Sequence, residues 1–172
     1  MRSIIRRVLS ALEVDEVREA GDGTAAMTVL ESYAADIIIT DWEMRPLNGI
    51  EFTKTLRCSG DGHNSYLPII MASGYGEMHR IIKARDAGVN EYVVKPFSAA
   101  TLFNRILAVT DRPRPYIRTK SFFGPDRRRK RSGANKRRRM DEDMTQDAVN
   151  ELMNRDRKPP EEGPEEGPEE SR

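Results

Sequence analysis

The chain has 172 residues, 37% hydrophobic and 33% charged, enough for one ordinary domain with appendages. No run approaches the roughly 18 apolar residues of a membrane span, the opening Met1-Arg2-Ser3-Ile4-Ile5-Arg6-Arg7 does not read as a secretion signal, and the single Cys58 rules out an internal disulfide and fits a reducing cytoplasm. The net charge of +1 hides a segregation: Lys+Arg and Asp+Glu number 12 and 14 in residues 1–110, 13 and 2 in 111–140, and 4 and 12 in 141–172.

Ile4, Ile5, Val8, Leu9 and Leu12 recur at helical spacing over residues 2–12, with Arg2, Arg6 and Arg7 opposite them. Residues 14–20 read as a short strand, and Gly21-Asp22-Gly23 as a turn. Thr24 opens a helix through about Tyr33, with Ala26, Met27 and Leu30 inward. Ile37-Ile38-Ile39 is β-branched, apolar on both faces and too short for a helix, as in a central strand of a parallel sheet. The loop Arg45 to Gly49 leads into a helix over Ile50–Arg57, and Ser59 to Tyr66 is a polar loop. Pro68 to Ala72 is a second buried strand, residues 77–87 a helix closed by Gly88, and Glu91 to Val94 a last short strand. Ser98 caps a final helix through about Val109, with Leu102, Ile106 and Leu107 inward. Strands alternating with helices imply an α/β fold, a parallel sheet with helices on both faces.

Three of these strands end in a polar residue: Asp41, Ser73 and Lys95. Parallel strands bring their carboxyl ends to one edge, where ligand chemistry gathers in open α/β sheets. A carboxylate, a hydroxyl and an ammonium make a coherent phosphoryl-transfer set: the first attacks phosphorus, and the others hold its oxygens. The plain alternative is a Lys–Asp ion pair with a capping serine. His63 and His79 have no metal-ligand spacing, and Cys58 reads as an ordinary helix-end residue.

Asp41-Trp42-Glu43-Met44 with Gly49 eight residues after the acid, Met71-Ala72-Ser73-Gly74, and Tyr92-Val93-Val94-Lys95-Pro96-Phe97 together carry a family resemblance. Over residues 1 to about 110 the chain resembles the receiver domain of bacterial two-component response regulators, closest to the stand-alone chemotaxis type. The resemblance implies a doubly wound, flavodoxin-like fold. It implies that Asp41 is the phosphoacceptor, fed by a histidine kinase or phosphotransfer protein, that Ser73 is the switch hydroxyl, and that Lys95 binds the phosphate. It also makes Tyr92 the aromatic that moves with Ser73, and the peptide before Pro96 cis. Signalling by contact with a downstream effector is implied, without an enzymatic output. Mg²⁺ would be held by Asp41, the backbone carbonyl of Glu43 and paired acids at the end of an opening strand. That strand and its acids are absent from the family pattern here, and Asp15, Glu16 and Glu19 do not replace them. An in-frame upstream segment of roughly 10–20 residues, long enough for one strand and its acids, is therefore expected. Its absence also raises the alternative of a degenerate, phosphorylation-independent scaffold.

The divisions expected are a receiver domain over 1–110, a basic extended segment over 111–140 and an acidic, largely disordered tail over 141–172. Nucleic acid or another polyanion stands as the lesser alternative partner, through the basic segment. No helix-turn-helix follows that could read a groove. Tyr116, Ile117, Phe122 and Phe123 are expected to dock on the domain or a partner. A short amphipathic helix is expected within 141–158, and extended Glu-Glu-Gly-Pro repeats after Pro160 that fold back on the basic segment. Deletion of 124–172 is expected to leave the domain folded.

Overall fold

Ile69, Ile70, Met71 and Ala72 point alternately to the two faces of a sheet and are all buried, so both faces must be covered. In the computed structural model, which describes residues 2–60 and 62–127, they belong to the middle of three parallel strands. These are β1 (Ile38–Asp41), β2 (Ile69–Ser73) and β3 (Glu91–Val94), in the order β1-β2-β3. Ile38 lies opposite Ile69, and Ile70 opposite Glu91. Ile69 and Met71 pack into one core with Leu30, Phe52, Leu56 and Ile81. These come from α2 (Gly23–Ser32), α3 (Gly49–Cys58) and α4 (Met78–Ala87). Ile70 and Val93 pack on the opposite face with Ile106 and Val109 of α5 (Ala99–Thr110), and α5 is covered in turn by α1 (Arg2–Ala11). This is the α/β arrangement of parallel strands with helices on both faces.

Local chemistry sets the helix ends. The Asp22 carboxylate accepts from the amides of Thr24 and Ala25. Asn48 and Glu51 form a reciprocal capping box at α3. Gly88, in the left-handed region at φ 97°, ends α4.

The strand expected over residues 14–20 does not form. Its residues lie largely exposed and make no ladder, because among the described residues no neighbouring strand offers them a partner. Glu19 instead pairs with Arg2 and Arg6 of α1, at 3.8 and 3.5 Å. Among the described residues β1 is accordingly an edge strand, and Ile37, Ile38 and Ile39 are only half-buried. The loop before β2 contains a 3₁₀ turn over His63–Tyr66.

The chain continues beyond α5 into an antiparallel hairpin, β4 (Tyr116–Arg118) with β5 (Phe123–Pro125). The hairpin lies at the amino-terminal end of the sheet. Its aromatic residues dock as a cluster, with Tyr66 5.4 Å from Tyr116 and 5.0 Å from Phe123, ring centre to ring centre. Ile117 remains exposed and Phe122 half-buried. Beneath the cluster Arg57 donates to the carbonyls of Gly88 and Ser65 and to the side chain of Asn90. The same Asn90 oxygen accepts from the Ile69 amide and the Tyr116 hydroxyl. Burial holds the Arg57 guanidinium below its usual range. Arg114 donates to the Asn90 carbonyl and, with Arg105, faces the buried Glu91. Residues 116–125 thus pack on the domain, and a cut after Phe123 falls inside β5. The expectations for residues 128–172 lie outside the described residues.

Candidate functional site

Register decides what meets at the carboxyl edge. Asp41 lies level with Ala72, and Ser73 level with Val94, so the last residues of the three strands occupy adjacent layers. Lys95 follows β3, its amide donating to the Ser73 carbonyl at 2.7 Å. The Lys95–Pro96 peptide is cis, as the resemblance implied, and so is Arg45–Pro46. The Lys95 ammonium lies 2.5 Å from Asp41 Oδ2. Both side chains are about a quarter exposed, 27% and 24%, so the pair is open to solvent and to a small anion. The other carboxylate oxygen, Oδ1, accepts from the Glu43 amide at 3.2 Å. A nucleophilic oxygen is thereby held beside a cation that can neutralise developing charge.

Gly49 permits this closeness. A Cβ there would lie 2.1 Å from the Asp41 carbonyl oxygen, so only glycine lets the start of α3 pass against the end of β1.

Ser73 and Tyr92 lie behind the pair, 0% and 1% exposed. The Ser73 hydroxyl oxygen accepts from the Tyr75 amide at 3.2 Å. The Tyr92 hydroxyl donates to the Tyr75 carbonyl at 2.7 Å. Tyr92 thus points inward, tied to the residue that also holds Ser73. Burial raises the Tyr92 phenol above its ordinary pKa, and a hydrogen bond with Ser73 opposes the rise. Asp41 and Lys95 are therefore in direct contact, while Ser73 and Tyr92 form a separate pair coupled through Tyr75. Glu43 is exposed. The nearby Glu43 carboxylate is the chief reason that the Tyr75 phenol's pKa is raised.

Four surrounding residues escaped the sequence reading. Trp42 is buried at 8% and meets Tyr92 edge to face, 6.4 Å between ring centres. The Arg80 guanidinium lies 3.7 Å from the Tyr75 ring centre and 5.5 Å from that of Trp42, and Lys83 approaches Trp42 from α4 at 5.9 Å. The available signal was Arg80 and Lys83, three apart on one helix, with aromatics next to the acid and near the serine. The distances suit cation–π contact. His63, His79 and Cys58 take no part in the site: both histidines and the cysteine are exposed.

Mg²⁺ fits these residues poorly. Asp41 supplies one carboxylate, already engaged by Lys95 and the Glu43 amide, and the Glu43 carbonyl would be a second donor. Among the described residues no group of three His, Cys, Asp or Glu could hold a metal. Mg²⁺ commonly keeps several waters with one or two carboxylates, but a lone carboxylate paired with lysine is a weak start.

A parallel α/β sheet with an acid–ammonium pair at its carboxyl edge and a buried hydroxyl–phenol pair behind has the chemistry to accept and hold a phosphoryl group. Residues 1–107 match the response regulator receiver domain family, and the chain belongs to that family. It is 37% identical over 112 residues to chemotaxis protein CheY-3 of Vibrio cholerae, covering 65% of this chain and 85% of that protein. It is 38% identical to chemotaxis protein CheY of Pseudomonas aeruginosa, over 65% and 89%. Among solved structures, chemotaxis response regulator CheY4 of Vibrio cholerae superposes with a TM-score of 0.57 at 27% identity, over 63% and 88% of the two chains. The receiver domain of a sensor histidine kinase from Pseudomonas aeruginosa, solved with a magnesium ion in its active-site cleft, gives 0.54 at 28% identity, over 62% and 84%. The chain is a two-component receiver of the phosphoacceptor type. Among the described residues no helix is long and apolar enough to cross a membrane.

Proposed function

We propose that Asp41 takes a phosphoryl group from the phosphohistidine of a histidine kinase or phosphotransfer protein, and that the chain then signals by contact with an effector protein rather than by an enzymatic output. A carboxylate oxygen of Asp41 forms a bond to phosphorus as the P–N bond to histidine breaks, and the released imidazole takes up a proton. The Lys95 ammonium moves from the carboxylate to the phosphoryl oxygens, offsetting charge where it develops. The Ser73 hydroxyl turns from Tyr75 and Tyr92 to donate to another phosphoryl oxygen, and Tyr92 adjusts in response. The observation that carries this reading is the 2.5 Å contact between Lys95 and Asp41, which puts nucleophile and cation together at an open edge. No step is routed through Mg²⁺. Its binding stays conditional on an acidic pair that these residues do not supply. The division at residue 110 is proposed only as a change of charge regime, since the hairpin beyond it packs on the domain. A cytoplasmic location is proposed with it, since the single Cys58 suits a reducing compartment.

The test is incubation with acetyl phosphate, with and without Mg²⁺, in a chain supplied with an upstream strand ending in two acids and in the chain as it stands. The supplemented form is expected to gain one phosphoryl group by intact mass, and Asp41→Asn to abolish the gain. Labelling that survives Asp41→Asn would overturn the assignment.

A further inference from the structure

Ser73 and Tyr92 are both held by Tyr75, a residue with little backbone support of its own. Its amide donates to the Ser73 hydroxyl oxygen at 3.2 Å, and its carbonyl accepts from the Tyr92 hydroxyl at 2.7 Å. It lies between Gly74 and Gly76, in a stretch with neither helix nor strand that joins β2 to α4. A Cβ on Gly74 would meet nothing within 4 Å. Packing therefore does not demand a glycine there, and its effect is to leave the backbone beside Tyr75 free to turn. The Tyr75 side chain supplies the missing restraint. The Arg80 guanidinium caps its ring at 3.7 Å from the centre and lies 5.5 Å from that of Trp42, the residue after Asp41. The Arg80 side chain is 29% exposed, and partial loss of water strengthens a cation–π contact. Arg80 belongs to the first turn of α4, a helix anchored by the buried Ile81 and Ala84.

We propose that Arg80 is a positioning residue, a latch on Tyr75 that keeps Tyr92 inward and Ser73 in its hydrogen bond with the Tyr75 amide. The proposal rests on the reading of Ser73 and Tyr92 given above and adds what sets their balance. Three links carry it. Helix α4 holds the guanidinium, the guanidinium holds the Tyr75 ring, and the Tyr75 backbone holds both hydroxyls. When the ring is released, the carbonyl that anchors Tyr92 moves with it, and Tyr92 populates a second arrangement with no phosphate present. The latch therefore sets how much differential affinity phosphate must supply to shift the balance. The Arg80 charge is also felt at the Tyr92 phenol, where it opposes the rise in pKa that burial causes. The plainer role for Arg80 is its ion pair with Glu77, at 3.8 Å. That pair is long and Glu77 is exposed, and such surface pairs contribute little. Glu77 makes no side-chain cap at α4 either, so the pair does not explain why the guanidinium lies over the Tyr75 ring.

The test uses the full chain without phosphate, its tyrosine rings labelled with ¹³C and the Tyr92 resonances assigned through Tyr92→Phe. Arg80→Met keeps an apolar stem but removes the planar cation. It is expected to move the Tyr92 ring resonances and to speed hydrogen exchange at the Tyr75 amide by about threefold to tenfold, the range that loss of one cation–π contact allows. Arg80→Lys, which keeps the charge, should recover part of both. Tyr75→Leu removes the latch from its other side and should reproduce the changes, and Arg80→Met added to it should change nothing further. A direct effect of the Arg80 charge on Tyr92 would instead persist in that background. Glu77→Gln removes only the ion pair and should leave both readouts in place. Three results would overturn the latch: Tyr92 resonances unmoved by Arg80→Met, additive effects of Arg80→Met and Tyr75→Leu, or Glu77→Gln matching Arg80→Met. These outcomes stand apart from labelling at Asp41. A chain that labels but shows no such shift defeats the latch alone, and one that shows the shift but never labels defeats the phosphoacceptor reading alone.

Discussion

Under the proposed function, Ser73 and Tyr92 are the residues through which phosphate at Asp41 would be felt inside the domain. Both are buried, and both are held by Tyr75. A hydroxyl drawn to a phosphoryl oxygen must leave these partners, which biases the Tyr92 side chain between two arrangements. Ser73→Ala removes the moving part. A supplemented, phosphorylatable chain carrying it should still accept phosphate at Asp41, while the phosphate-dependent shift of the Tyr92 ring resonances disappears. An unchanged shift would mean that the signal leaves the site by another route. A second expectation at this scale concerns alkali. Burial raises the phenols of Tyr116 and Tyr92 above their ordinary value near 10, so the folded state holds these protons more tightly than the unfolded chain. Their contribution is complete below pH ~10 and is lost as pH rises through the folded pKa values. Unfolding midpoints measured from pH 8 to 11 should fall more steeply above about 10. Tyr116→Phe, which keeps the ring but removes the titrating group, should flatten that fall.

At the scale of elements, the three strands and five helices were legible because most carried a strong pattern: β-branched runs over residues 37–39 and 69–70, helical spacing in α1 and α5, and a capping residue at Ser98, whereas the caps Asp22 and Asn48 had read only as parts of a turn and a loop. The acid, serine and lysine stood out because each closes a buried run. What failed was tied to pairing. Residues 14–20 have a strand-like composition, but a strand is made by its neighbour, and among the described residues none lies beside them. The hairpin was read only as four residues needing cover, because its seat depends on Asn90, 26 positions before Tyr116, and on Tyr66, 57 positions before Phe123. Two expectations follow. Amides of β1 alternate: that of Ile38 donates to the Pro68 carbonyl and that of Trp42 to the Ala72 carbonyl. The amides of Ile37, Ile39 and Asp41 point the other way by the two-residue period. Hydrogen exchange should show those three exchanging well before the amides of Ile70 and Met71 in the middle strand. The hairpin is the second case. A chain ending after Arg127 should keep its melting midpoint, whereas one ending after Asp111 should lose roughly 2–4 kcal/mol. That loss comes from the half-buried Tyr116 and Phe123 and from the partners they give to Arg57. Equal midpoints for the two truncations would show the hairpin to be an idle appendage.

Over the whole molecule the chemistry is divided between the two ends of one sheet. At the carboxyl end an acid and an ammonium face solvent over a buried serine and tyrosine. At the amino end buried arginines satisfy backbone carbonyls beneath an aromatic cluster. The division also has an optical side. The sequence contains one tryptophan and five tyrosines, and that tryptophan, Trp42, adjoins Asp41 with Arg80, Lys83 and Tyr92 around its ring. Light absorbed at the red edge of the indole band, where phenols are transparent, therefore interrogates the carboxyl end alone. Emission from that single ring reports rearrangement at the acid without labelling, while events at the far end reach it only through the sheet.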